Sequence, residues 1–337
     1  MSYWLAALVI VDGLVTRNNF AWAGLPRALM VLSVVTVAVL ELYRSGVRLD
    51  APAAAIVGII GAMVVAASYR ATLDGLELWL VYLGAFALAR LVRRDWLGDV
   101  ARAGALVAVF ELWLLIMPPP EGAWNRNVIG AVLVVCLAAS FGWEASHEWH
   151  TLRKWGISLA ILVVIFATGS RGAMAGAFVS ACVMFFPRAL IAAPALAVAL
   201  IMIRPLESAT RIVAWSSGVR AWLDNFAFGI GPGQLEFTMF SYNRWIITHS
   251  HNAYISLCAQ VGLIGLVVLA AFCVVTARVN LGRPAIAMLA GVAAHSIVDD
   301  PLLALPVGLM LCLCLIESRD ASNSHILSSV TGDLSAV

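Results

Sequence analysis

The chain has 337 residues, of which 62% are apolar and only 12% charged, and its formal net charge is +2. With a mean hydropathy of +0.95, it lies far outside the composition of soluble globular domains and reads as an all-α polytopic membrane protein. The balanced charge offers no basic face for nucleic acid. The six cysteines (Cys136, Cys182, Cys258, Cys273, Cys312, Cys314) sit in apolar stretches without a CxxC pair and read as core residues.

The opening MSYWLAALVIVDGLV has no basic lead and no small-residue cleavage site, so it is expected to stay as the first span. Apolar runs then predict about twelve transmembrane helices, near 3–16, 21–43, 51–69, 76–92, 103–117, 128–143, 156–168, 171–187, 189–203, 251–276, 284–298 and 302–316. Tryptophans stand near many span ends (Trp4, Trp22, Trp79, Trp96, Trp143, Trp155), as interfacial anchors do. No internal repeat divides the chain. Residues 1–316 read as a single transmembrane domain with a long external loop at 204–250, and 317–337 as a disordered cytoplasmic tail.

Lys and Arg in short loops stay preferentially inside. With the N-terminus inside, the inner connections collect Arg44, Arg48, Arg93, Arg94, Arg102, Arg153, Lys154, Arg188, Arg278 and Arg283, with Arg319 on the tail. Both termini are then cytoplasmic. The outer side nevertheless holds Arg126, Arg171, Arg204, Arg211, Arg220 and Arg244, besides Arg17, Arg27 and Arg70. Arginines against the topological preference suggest a polyanion at the outer leaflet, because the guanidinium fork matches phosphate oxygens; anchoring to lipid headgroups explains some of them.

Four spans that run inward open on polar residues: Asn125-Arg126-Asn127, Ser170-Arg171-Gly172, His249-Ser250-His251-Asn252 and Asp299-Asp300-Pro301. Free N–H groups and the helix dipole make such starts ready anion sites, and the same residues serve equally as N-caps. Loop 204–250 spaces Arg211 to Trp222 as an amphipathic interfacial helix would. After it comes Phe228-Gly-Ile-Gly-Pro-Gly-Gln234, which lacks the strand and lysine of a nucleotide loop and reads as a tight turn leading to the histidines.

Other features are read structurally. Gly172 and Gly176 have the spacing of close helix packing. His147-Glu148-Trp149-His150 is not an HExxH site and falls on an inner connection, so no metal is expected. Glu111 lies inside an apolar span, as Glu41, Glu77 and Asp12 lie near others, which keeps an ion or proton path open. His295, four residues before Asp299, is compatible with such a path or with the lining of a cavity.

Taken together and in order, Asn125-Arg-Asn127, Ala167-Thr-Gly-Ser-Arg-Gly-Ala173, Arg211-x-x-x-Trp215, Gly229-Ile-Gly-Pro-Gly233, His251-Asn-Ala-Tyr-Ile255 and Gly262-Leu-Ile-Gly265 resemble the O-antigen ligase and O-antigen polymerase superfamily of bacterial envelope glycosyltransferases. The match runs from about Asn125 to Pro301 and departs at Gln260, where the family often has an acidic residue. The resemblance implies a multi-pass inner-membrane enzyme with a periplasmic site, which takes a glycan from undecaprenyl pyrophosphate without metal or other cofactor. The acceptor is a sugar hydroxyl on lipid A-core or a similar glycolipid. His251 is then the general base, with His249 orienting the acceptor or acting as the base itself. Arg171, Arg211 and Arg220 hold the pyrophosphate, and Asn127, Ser170, Asn252, Tyr254, Arg126 and Arg244 are weaker substrate contacts. A polymerase joining lipid-linked repeat units differs only in its acceptor. The rival class is an anion or solute transporter, which calls for broken helices and paired polar groups near the bilayer midplane.

Overall fold

The computed structural model describes residue 3, residues 95–117, 126–146, 155–192, 205–231, 250–278 and 281–299, and residues 307, 308 and 310. The predicted spans at 21–43, 51–69 and 76–92 and the tail lie outside these, as do nearly all of the spans at 3–16, 189–203 and 302–316. Every regular element among the described residues is helical: α1 (Trp96–Ile116), α2 (Arg126–Ser146), α3 (Gly156–Thr168), α4 (Arg171–Phe185), a 3₁₀ turn (Pro187–Ala192), α5 (Pro205–Asp224), α6 (Ala253–Arg278) and α7 (Arg283–Ser296).

Most boundaries follow the apolar runs, and the differences have local causes. Helix α1 starts at Trp96 rather than near 103, because Asp95 caps it by accepting from Gly98 N at 2.8 Å. Arg102, read as lying in an inner connection, is carried on the helix instead. It pairs with Asp99 at 3.1 Å and lies 5.3 Å over the Trp143 ring, whose Nε1 donates to Asp95 at 3.0 Å. The beginning of α1 is thereby tied to the end of α2, and the two helices run antiparallel.

Helix α2 is the axis of the bundle. Every residue from Ile129 to Glu144 is buried, and α1, α3, α4 and α7 all pack on it. An apolar sequence on all sides requires such a position. Its stretch Arg126–Ala145 is also the one segment, among the described residues, long and apolar enough to cross a membrane; the apolar parts of α3, α4 and α6 are shorter. Glu144 is the one carboxylate within that stretch. It accepts from Ile157 N at 2.9 Å and from the Ser158 hydroxyl, which also bonds Ser140 at 2.7 Å. Helix α3 has no side-chain cap of its own at Trp155, so the carboxylate of α2 satisfies its first orphan N–H groups.

Helices α4 and α7 run antiparallel at a distance only small residues permit. A Cβ on Gly176 would stand 2.7 Å from the Gly291 carbonyl oxygen, and one on Gly172 would stand 2.6 Å from His295 Cδ2. One turn further along, Ser180 Oγ donates to Ala287 O at 3.0 Å. The small-residue spacing read from the sequence therefore packs α4 on α7. On the outside, Val109, Trp113 and Ile116 of α1 and Leu159, Val163 and Phe166 of α3 form exposed apolar stripes. Water penalises such faces, whereas a lipid surround accepts them.

Substituting Gly176 by Ala forces α4 away from α7 and is expected to cost about 1–3 kcal/mol of stability, as overpacking does. Gly156→Ala, where an added Cβ meets nothing within 4 Å, provides the comparison. Thermal unfolding of the two variants in detergent should separate them, with only the Gly176 variant melting earlier.

Candidate functional site

Three helix starts and one helix end meet at the same end of the bundle. The start of α2 faces the start of α4, since a Cβ on Gly130 would touch Ala173 and Ser170. The first turn of α4 lies on the end of α7, with Gly172 against His295 and Val298. The start of α6 is latched to the same end of α7: Asn252 Nδ2 donates to Ile297 O at 2.8 Å, and Ala253 N donates to Asp299 O at 3.1 Å. Four polar segments that are far apart in the sequence are thus brought together.

At the centre stands His251, with Nδ1 3.6 Å from Asp299 Oδ1; this is within ion-pair range and longer than a hydrogen bond. The histidine backbone has φ +52°, a left-handed conformation that costs a non-glycine residue free energy and needs outside support. Support comes from both neighbours and from α5. Ser250 Oγ donates to Asn252 O at 2.7 Å, accepts from Asn252 N at 3.2 Å and bonds Ser256 Oγ at 2.7 Å. Trp215 Nε1 of α5 donates to the His251 carbonyl at 3.3 Å. With its backbone held this way, the imidazole stands beside Asp299 and remains partly open to the outside, its side chain 26% exposed.

The candidate arginines divide. Arg171 is the first residue of α4 and is 7% exposed, so a cation stands at the positive end of a helix dipole, one residue before the Gly172 that lies against His295. Arg211, half-buried on α5, stands one turn before Trp215, whose ring nitrogen holds the His251 carbonyl. Arg220 is not on the same side. Nine residues make two and a half turns, so it points away from Arg211 and is exposed. Arg126 begins α2 and is exposed, while Asn127 beside it is half-buried. His249 and Arg244 lie outside the described residues, as does the His147–His150 segment.

Three of the weaker candidates have structural partners. Ser170 caps α4 by accepting from Ala173 N at 3.3 Å. Asn252 caps α6 with Oδ1, accepting from Ile255 N at 3.0 Å, while its Nδ2 makes the latch to α7. Tyr254 OH donates to Ala293 O at 3.0 Å. Each of these serves the meeting of helices and leaves less of its polar surface for a substrate. Conversely, the sequence reading took Asp299 only as part of a helix start. Its role beside His251 had one available signal, an acidic residue on the same outer side. Among the described residues, no three of His, Cys, Asp and Glu come together as a metal site.

The span expected at 251–276 is not one continuous helix. Gly262, at φ +62° and ψ −159°, breaks α6, and the turn after α5 splices the break. Ile230 N and Gly231 N donate to Ala259 O and Gln260 O at 2.8 and 3.0 Å, while Leu263 N and Ile264 N donate to Phe226 O and Ala227 O at 2.8 and 3.3 Å. The orphan groups of the interrupted helix are therefore paired by backbone. Gly229 at φ +71° and Gly231 at φ +93° supply the turn. The described part of the glycine-rich stretch, Phe228 to Gly231, is thus a turn that pairs with α6, and positions 232–234 lie outside the described residues. Gln260 takes part in the splice through its main chain.

Gly262→Ala puts a Cβ 2.5 Å from Gly229 N in a backbone region that side chains avoid, and is expected to cost about 1–3 kcal/mol. Gly229→Ala damages the same splice. Denaturation of both single variants and the double variant should show strong non-additivity, with the double variant losing little more than the worse single. Comparison of the chain with protein-family models and with curated proteins gives no match.

Proposed function

We propose that the chain is an O-antigen ligase-like membrane glycosyltransferase of about twelve spans. It lies in the bacterial inner membrane, with its site on the periplasmic side and both termini cytoplasmic. It transfers a glycan from undecaprenyl pyrophosphate to a sugar hydroxyl of lipid A-core or a similar acceptor. The observation that carries this reading is the His251–Asp299 pair set at the meeting of helix starts with Arg171 and Arg211 close by. A base, its orienting carboxylate and anion-binding groups are the parts such a transfer needs.

In this reading the acceptor oxygen attacks the anomeric carbon and the sugar–pyrophosphate bond breaks. The electron pair leaves on undecaprenyl pyrophosphate, and the hydroxyl proton passes to Nε2 of His251. Asp299, facing Nδ1, keeps the proton of the resting imidazole on that nitrogen and leaves Nε2 free to accept, the division of labour known from Ser-His-Asp triads. Arg171 and the dipole of α4 meet the charge that develops on the leaving group, with Arg211 as a second cation. Arg220 is better placed to meet headgroups or the acceptor from the far side of α5. Breakage of the activated bond drives the reaction, so no nucleotide is required.

The break in α6 is a feature that a transporter would share. Its freed carbonyls at Ala259 and Gln260 accept from the turn at Ile230 and Gly231, and among the described residues the candidate site groups His251, Asp299 and Arg171 lie at one end of the bundle rather than midway along it. Both observations favour the enzyme.

Purified protein in lipid, supplied with undecaprenyl-pyrophosphate glycan and either lipid A-core or a second donor molecule, tests the reading. Transfer to lipid A-core identifies a ligase and growth of the lipid-linked chain a polymerase. His251→Ala is expected to lose roughly 10²- to 10⁴-fold in rate, the scale of general-base help. No His251-dependent product with either acceptor sinks the proposal. Folded Arg171→Lys is expected to lose most transfer, because an ammonium cannot reproduce the bidentate fork; near-normal turnover would remove Arg171 from the pyrophosphate site.

A further inference from the structure

Tryptophans at a membrane boundary ordinarily turn the indole N–H toward water and headgroups. Trp215 does not. It lies half-buried on α5, and its Nε1 crosses to the segment before α6, where it donates to the His251 carbonyl at 3.3 Å. On the outer side of the same helix Ile212, Val219 and Leu223 are exposed, whereas Ala214, Gly218 and Ala221 are buried. Trp215 goes with the side of α5 that meets α6, and lipid anchoring does not account for its N–H.

The carbonyl it holds belongs to a peptide gripped at both polar atoms. The plane between His251 and Asn252 carries the His251 oxygen, which accepts from Trp215 Nε1, and the Asn252 N–H, which donates to Ser250 Oγ at 3.2 Å. That plane sets the ψ of His251, the residue at φ +52°. In the left-handed region a residue with a side chain has only a narrow range of ψ, so two bonds on one plane hold the backbone where it costs free energy to stay. Turning the plane toward an ordinary conformation carries both atoms away from their partners. Helix α5 is fitted to the same turn further along, where a Cβ on Gly218 would stand 3.1 Å from Ser250 Cβ and 2.6 Å from Ile255 Cγ2. The direction of the His251 side chain, and with it the 3.6 Å approach of Nδ1 to Asp299 Oδ1, depends on this conformation.

We infer that Trp215 is a positioning residue: its indole N–H, acting through the His251 carbonyl, keeps the His251 backbone left-handed and the imidazole beside Asp299. For its effect on transfer the inference rests on the proposed role of His251, while the grip on the peptide stands apart from any substrate. Arg211 lies one turn before Trp215, so the helix that brings a cation also sets the backbone of the histidine.

The test uses full-length protein in lipid bilayers, labelled with ¹³C-histidine, with the His251 resonances assigned through His251→Gln; Cα and Cβ shifts report the backbone conformation. Trp215→Phe keeps a ring and loses the donor. Trp215→Gln loses the ring and places an amide N–H as many bonds from Cβ as Nε1 is. The wild type and the Gln variant are expected to share the His251 shifts, and the Phe variant to depart from them. With undecaprenyl-pyrophosphate glycan the Phe variant is expected to transfer about tenfold to a hundredfold more slowly, as misplaced catalytic groups do, and the Gln variant to keep most of the wild-type rate. The donor KM should stay unchanged, since the arginines are untouched. Trp215→Leu, which also lacks the donor, carries the same test should the Phe variant fail to insert. Wild-type His251 shifts in the Phe or Leu variant, a wild-type rate despite moved shifts, or a Gln variant that departs as Phe does, overturns the inference. If the shifts respond as expected and the wild type transfers to neither acceptor, the glycosyltransferase reading falls and the hold of Trp215 on His251 stands.

Discussion

The close approach of α4 to α7 is the constraint on which the site depends. With hydrogen as the side chain at Gly172 and Gly176, the two backbones come near enough for a carbonyl of α7 to occupy the space of a missing methyl. That approach sets the first turn of α4, which Arg171 opens, against the end of α7 that carries His295 and Val298. A pair of larger residues would separate the helices and with them the arginine from the carboxylate. The same contact leaves α2 enclosed, so the bundle is held by apolar burial around one helix and by small residues along another.

Polar groups inside this bundle are retained where a neighbouring helix can satisfy them. Glu144 caps α3 from α2, Asn252 latches α6 to α7, and Ser250 braces a histidine in a left-handed conformation. Each links two segments that would otherwise expose orphan N–H or carbonyl groups. The splice at Gly262 follows the same logic on a larger scale, exchanging four backbone hydrogen bonds between a broken helix and the turn after α5. It also couples the amphipathic helix bearing Arg211 to the helix that His251 precedes, so the cation and the base share one rigid support.

In the proposed reading the chemistry is divided among elements: α4 brings a guanidinium with a helix dipole, α5 a second cation, the start of α6 the imidazole, and the end of α7 the carboxylate. None of these elements carries a complete site. Function would follow from their registration, and for that reason the glycines and caps matter as much as the reacting groups.

The helical class, the positions of α2, α3, α4 and α7, and the glycine packing of α4 were legible in the sequence, because apolar run length and small-residue spacing act locally. The polar starts at Asn127, Ser170 and His251 were legible as well, since capping and dipole effects depend on near neighbours. Which of those polar residues take partners within the bundle was decided by the tertiary structure. Asn252 and Ser170 take backbone partners, Arg220 turns away from Arg211, and Asp299 lies beside His251 although the two are 48 positions apart in sequence. The break at Gly262 was hidden for the same reason. An apolar run does not reveal that its helix is interrupted until the loop that pairs the freed backbone is in place, and that loop comes from another part of the chain.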